Sequence, residues 1–294
     1  MSGAERLGTA WLQAHPLPAI GGGKSKEERG RALIVGGSRS VPGALLLTAD
    51  AALRVGAGKV QIGTVASAAI PLGVRMPEAA VIALPEDDAG EIADTDPLAE
   101  RLSACAALVF GPGMARGDDT PELVARLIGA LPDEAALLLD AAALTCCTDR
   151  LLHARHSPAV MTPHHGELAS LLDVSKEEIE AAPERFAAET AERFGAVVAL
   201  KASGTVIAAP GETPLIYTSE APGLGTAGSG DVLAGVIGGL LARGASPRVA
   251  ACWGVWLHGE CGRAAALSIG SIGFRASELP SFLPRLMASV GEHG

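Results

Sequence analysis

The sequence predicts an α/β fold with a mostly parallel central sheet, and three observations carry the prediction. Short apolar runs alternate with longer helical patterns along most of the 294 residues. Several of those runs end in a glycine loop that leads into the next helical stretch, and strand, loop, helix, strand is the βαβ unit, right-handed by default. Near residue 200 the pattern changes. Runs 197–200 and 205–208, split by Lys201-Ala202-Ser203-Gly204, read as an antiparallel hairpin added at one sheet edge.

The elements follow in order. Residues 1–30 hold a helix candidate at 5–13 and then the polar link GGGKSKEERG, in which Lys24 and Lys26 either reach a phosphate or are simply solvated. Run 32–35 is a strand ending in Gly36-Gly37-Ser38, residues 43–55 form a helix closed by Gly56 and Gly58, and 59–65 is the next strand. Run 79–83 is a weak strand, and the acidic PEDDAGEIADTD after it reads as surface loop. Strand 106–110 ends in the loop 111–117, and helix 120–128 has Pro121 at a favourable first position. Strand 136–139 ends in Asp140 before a short helix at 141–144, and strand 159–162 ends in Pro163-His164-His165-Gly166-Glu167. Ser175 and Glu178 make a capping box for a charged helix that Pro183 interrupts, with a second stretch to Phe194. Run 215–218 is a further strand; helices follow from near 228, over 249–267 and over 276–287. With no repeat or long linker, 31–294 reads as one domain.

Composition narrows the class. Apolar residues make up 48% and aromatics only 3%, which suits close-packed helices over a sheet. A net charge of -10 with no basic run argues against nucleic acid or anionic membrane as partner. Five cysteines with no C-x-x-C spacing predict buried, reduced thiols. The start MSGAERLGTAWL lacks the plan of a signal peptide, and the apolar run 232–242 is too short to span a bilayer, so a soluble, cytoplasmic protein is expected.

Residues 222–244, PGLGTAGSGDVLAGVIGGLLARG, are the most informative stretch. Glycines at 225, 228 and 230 admit positive φ and clear the approach to a helix N-terminus, whose free N–H groups and dipole suit a phosphate. No Lys-Ser/Thr follows as in a P-loop, and no strand leads directly into a G-x-G-x-x-G opening as in a dinucleotide fingerprint. Asp231 beside such a seat would repel an anion, which calls for a reason. It either accepts a proton from a hydroxyl that attacks the γ-phosphorus, or caps its helix.

Loops 36–43, 111–117, 140–144 and 163–167 all follow predicted strand ends, and the Asp231 loop should meet them in one cleft. Asp140 either faces that cleft, holding Mg²⁺ through water or orienting a substrate group, or caps the next turn. His164 either bonds a substrate or shapes its loop. Glu167 either helps position hydrated Mg²⁺ or is a first-turn helix acid. Lys201 either balances nucleotide phosphates or is solvated, and His258 between helical glycines reads as close helix packing.

These motifs together resemble the ribokinase-like superfamily, and within it the ADP- or ATP-dependent NAD(P)H-hydrate dehydratases. The matching pieces are GGSRSVPGALLLTADAALRVGAGKVQIGT from Gly36, VFGPG, LLLDAAAL, MTPHHGELASLL, LKASGTVIAAPG and the 222–244 stretch. The resemblance implies a three-layer α/β/α domain, commonly oligomeric, that phosphorylates the ring hydroxyl of hydrated NADH or NADPH and eliminates phosphate. Mg²⁺ and ADP or ATP are the implied cofactors, and the epimerase carried by some members would be a separate chain. By motif position, Asp231 looks like the base and Gly228, Ser229 and Gly230 the anion hole. Lys201, Ala202, Ser203, Gly204, Thr205 and Gly230 look like nucleotide contacts. Ala44, Gly113, His164 and Asp231 look like contacts to the hydrated cofactor, with Asp140 and Glu167 the candidate metal carboxylates through water. The pattern departs from the family at Ala115, Ala142, Ala202 and 217–223, where glycines, a second carboxylate and asparagines are usual. Rival readings are a hydroxyl kinase for a thiazole or pyrimidine alcohol and an inactive nucleotide-binding scaffold.

Overall fold

The structure, a computed structural model, describes residues 4–19 and 29–291. Lys24 and Lys26 of the N-terminal link lie outside them. Ten strands form one sheet in the order β1-β10-β9-β8-β7-β6-β5-β2-β3-β4. They are β1 Glu5–Arg6, β2 Arg31–Val35, β3 Lys59–Val65, β4 Ala79–Leu84, β5 Ala107–Phe110, β6 Ala136–Leu139, β7 Val160–Met161, β8 Val197–Leu200, β9 Gly204–Ala208 and β10 Leu215–Thr218. From β4 to β8 every pairing is parallel, and β8, β9 and β10 pair antiparallel. The central strands are continuous apolar runs because helices cover both faces: all four residues of β5 and of β8 are buried.

The helices are α1 Thr9–Ala14, α2 Ala44–Arg54, α3 Ala66–Arg75, α4 Ala99–Leu102, α5 Thr120–Ala130, α6 Ala141–Thr145, α7 Asp149–His153, α8 His165–Leu172, α9 Lys176–Ala181, α10 Pro183–Phe194, α11 Ser229–Ala242, α12 Pro247–Ser268 and α13 Leu283–Gly291. One layer is built around α2, α11 and α12; α5 to α10 pack among themselves on the other. The result is the expected three-layer α/β/α arrangement with a mixed, mostly parallel sheet. In α11 every residue from Val232 to Ala242 is buried. Close packing explains the glycines there: a Cβ at Gly235 would overlap the Thr48 carbonyl oxygen on α2, and one at Gly238 would overlap the Val109 side chain on β5.

Strand order reverses between β2 and β5, which are neighbours although two strands separate them in sequence. Such a switch point opens a crevice beyond the strand carboxyl ends, here between the loops after Val35 and Phe110. Three expectations need correction. The helix expected at 5–13 is instead β1 followed by α1, because β1 adds in parallel to β10 and covers the hairpin edge. The final helix expected at 276–287 is a 3₁₀ segment, Ala276–Phe282, followed by α13, consistent with Pro280 lacking the N–H an α-helix would need. The acidic stretch after β4 is not a free surface loop, since Ile92, Thr95 and Leu98 are buried. All five cysteines are buried and unpaired. No helix of the described residues is long and apolar enough to cross a membrane.

Candidate active site

The N-terminus of α11 stands at the carboxyl-end rim of the sheet. Gly228 is its N-cap with φ +85°, a conformation other residues rarely adopt, and a Cβ there would also lie 2.5 Å from Leu47 Cδ1. Among the described residues the N–H groups of Gly228, Gly230 and Asp231 have no hydrogen-bond partner, whereas that of Ser229 bonds the Thr226 carbonyl at 3.2 Å. Of the three amides expected to form an anion hole, Ser229 is therefore already engaged, and Asp231 adds a free one. Asp231 sits in the first turn with no side-chain capping bond to α11. Burial pushes its carboxyl up to about 6, the Asp140 charge adds to the rise, and the Lys201 ammonium opposes it.

Lys201 organises the carboxylates around this seat. Its backbone N–H bonds the Pro163 carbonyl at 2.7 Å, and it forms a parallel bridge with His164, so the loops after β7 and β8 are held side by side. Its Nζ lies 2.8 Å from Asp140 Oδ1 and 3.6 Å from Glu167 Oε2. A Cβ on Gly230 would be 3.6 Å from the same Nζ, which places the ammonium over the start of α11. Burial opposes the Lys201 charge, but Asp140, Glu167 and Asp231 outweigh it and hold the pKa above the ordinary lysine value. Asp140 is almost fully buried and makes no capping bond to α6; its Oδ1 instead accepts from Thr162 Oγ1 at 2.8 Å as well as from Lys201. The next residue, Ala141, has φ +46°, a strained conformation for alanine.

His164 and Glu167 complete a reciprocal cap on α8. The His164 N–H donates to Glu167 Oε2 at 2.7 Å, and the Glu167 N–H donates to His164 Nδ1 at 3.1 Å. With Nδ1 accepting, the neutral ring carries its proton on Nε2. His165 points elsewhere, its Nδ1 3.6 Å from Glu180 Oε1. No group of three or more His, Cys, Asp or Glu among the described residues could enclose a metal ion. Asp140 and Glu167, the two carboxylates expected to act on a metal, are both tied to Lys201.

The opposite wall is made of small residues. Gly37 N–H bonds the Pro112 carbonyl at 2.7 Å across the switch point. Gly113 has φ +72°, and a Cβ there would lie 2.7 Å from Ala44 Cβ and 2.8 Å from the Val41 carbonyl oxygen. Ala44 begins α2 and is buried. In the turn 202–205, Ala202 and Ser203 are exposed, Thr205 Oγ1 donates to the Ala202 carbonyl at 3.1 Å, and the Ser219 N–H donates to the Ser203 carbonyl at 3.1 Å.

His258 has a part that its reading as helix packing missed. Its Nε2 lies 2.9 Å from Ser229 Oγ in the first turn of α11. Burial, helped by the nearby Lys201 charge, pushes the imidazole down to about 4, so it is neutral near pH 7. Neighbouring Gly259 does serve close packing, since a Cβ there would overlap the Tyr217 ring. No spacing rule links residue 258 to residue 229; only the packing of α12 on α11 does.

Comparison with known proteins gives a consistent picture. A family model described as NAD(P)H-hydrate dehydratase matches residues 32–285. The chain is 46% identical over 281 residues to the ADP-dependent (S)-NAD(P)H-hydrate dehydratase of Xanthomonas campestris, covering 95% of this chain and 94% of that one. It is 38% identical to the bifunctional NAD(P)H-hydrate repair enzyme of Moorella thermoacetica, covering 97% of this chain but only 54% of that protein, so it spans about half the length of this bifunctional relative. Among solved structures, the ADP/ATP-dependent NAD(P)H-hydrate dehydratase of Bacillus subtilis, co-crystallised with ATP and Mg²⁺, superposes with a TM-score of 0.85 at 28% identity, covering 99% of this chain and 100% of that one.

Proposed function

As the chain belongs to the NAD(P)H-hydrate dehydratase family, we propose that its rim restores NADH and NADPH from their hydrates at the expense of ATP or ADP. The observation that carries this reading is Asp231, a carboxyl with its pKa raised to about 6, beside unpartnered amides at a helix N-terminus. An ordinary aspartate at 3.8 is a poor proton acceptor for an alcohol, and one near 6 is more basic while still ionised at pH 7.

The chemistry then runs in two stages. Asp231 takes the proton of the ring hydroxyl as its oxygen bonds the terminal phosphorus of the nucleotide and the bridging P–O bond breaks. The free N–H groups of Gly228, Gly230 and Asp231, with the positive end of α11, stabilise the charge on the phosphoryl in flight. Phosphate is a far better leaving group than hydroxide. The ring C–O bond breaks with its electron pair leaving on phosphate, the neighbouring carbon gives up its proton to the departing phosphate, and the C–H electron pair forms the double bond of NAD(P)H.

The other residues bind and orient. Lys201 opposes the nucleotide phosphates, and the turn 202–205 holds the nucleotide through its backbone. His164 offers Nε2–H to the hydrated cofactor, and Ala44 and Gly113 admit its ring. Mg²⁺ supplies charge neutralisation between phosphates when bound; Asp140 and Glu167 would hold it through water.

The test incubates the protein with hydrated NADH, Mg²⁺ and ATP or ADP and follows recovery of nicotinamide absorbance. Recovery is expected, and Asp231→Asn should lower turnover by about 10²- to 10⁴-fold with folding intact. Phosphorylation of a thiazole or pyrimidine alcohol without recovery would identify a kinase instead, and nucleotide binding with neither outcome a scaffold.

A further inference from the structure

The acidic stretch after β4 is sewn to both loops of the switch-point crevice. It turns back on itself through the antiparallel bridge of Glu86 with Ile92 and the bond from Gly90 N–H to the Asp87 carbonyl at 3.0 Å. Ile92 and Leu98 anchor it in the core. Gly90 then accepts the Arg39 N–H at 2.8 Å, and Arg39 Nη2 reaches Glu86 Oε1 at 2.9 Å. One acid turns inward rather than to solvent. Glu91 Oε2 accepts the Ala115 N–H at 3.1 Å. In the loop after β2, Ser38 Oγ accepts the Val41 N–H at 3.2 Å, and the Val41 carbonyl is one of the atoms closest to Gly113.

We propose that Glu91 is a positioning residue for the hydrated dinucleotide: its carboxylate holds the loop after β5 through the Ala115 N–H, while the adjacent Gly90 carbonyl holds the loop after β2 through the Arg39 N–H, and together they fix Gly113 against Ala44. The inference rests on the reading of Ala44 and Gly113 as substrate contacts. Taking a carboxylate partly out of water is unfavourable unless a donor meets it, and here the Ala115 N–H does. Burial pushes the Glu91 carboxyl up, consistent with a side chain drawn in from solvent. Among the described residues, the nucleotide seat at Lys201 and the start of α11 makes no bond to this stretch, so a clamp here acts on one ligand and not on the other. Displacing substrate contacts by about 1 Å is enough for large losses.

The experiment compares Glu91→Ala, Glu91→Asp and Glu91→Gln with the unmodified chain in steady-state kinetics and amide hydrogen exchange. Glu91→Ala should raise KM for hydrated NADH about tenfold or more, leave KM for ATP within about twofold, and speed exchange at Ala115. Glu91→Gln keeps an oxygen for the Ala115 N–H and should recover most of the loss. Unchanged exchange at that amide, or an equal rise in both KM values, overturns the proposal. Should Glu91→Ala fail to fold, Glu91→Asp, shorter by one methylene, carries the same comparison. A chain that never restores NADH would refute the functional reading, while exchange at Ala115 would still decide the clamp.

Discussion

The two walls of the crevice are built on different principles. Around Lys201 stand three carboxylates, Asp140, Glu167 and Asp231, which all act on the one ammonium. Across the switch point, Gly37, Gly113 and Ala44 contribute no charge and approach one another so closely that one extra methyl would overlap. The first wall works by electrostatics in a partly dry setting, where charges are costly alone and effective together. The second works by shape, through backbone positions that only glycine satisfies without strain. Substitutions on the two walls should accordingly fail in different ways.

The larger effect belongs to the charged wall. Lys201→Met would leave Asp140, already nearly without solvent, facing Glu167 with no counter-charge. Loss of stability on the order of 3 kcal/mol is expected, read as a lower midpoint in denaturant, together with a steep rise in KM for the nucleotide. A variant as stable as the parent would show that the carboxylates do not depend on the ammonium. On the shape wall, Gly113→Ala should leave nucleotide affinity alone and raise KM for hydrated NADH by about 10- to 100-fold. Its left-handed φ adds a small stability cost of about 1 kcal/mol. Equal effects on both ligands would erase the distinction between the walls.

The same contrast governs what the sequence made legible. Strands β3, β6, β8 and β10 were readable to the residue, because apolar runs bounded by glycine or charge leave little choice. Asp231 stood out because a carboxylate beside an anion seat is locally unexpected. What escaped was held by distant partners. Two residues make β1, and only its pairing with β10 defines it. Helix α3 carries Pro71 in its interior, a residue whose missing N–H argues against a helix when only the sequence is considered. Asp140 had the position of a helix cap, yet Lys201, 61 residues on, and Thr162 hold its carboxylate. His258 and Glu91 gave no local signal, since their partners Ser229 and Ala115 come from other elements.

The central claim is that a buried Asp231 works as the base, and the pH dependence of turnover tests it most directly. A base must be ionised. With the Asp231 carboxyl near 6, turnover on hydrated NADH should be level above that pH and fall about tenfold per unit below it. Ionisation of the nucleotide persists in Asp231→Asn, so the residual rate of that variant separates the two titrations: its acid limb near 6 should disappear. An identical limb in both proteins, or one displaced to the ordinary aspartate range near 4, would contradict the account.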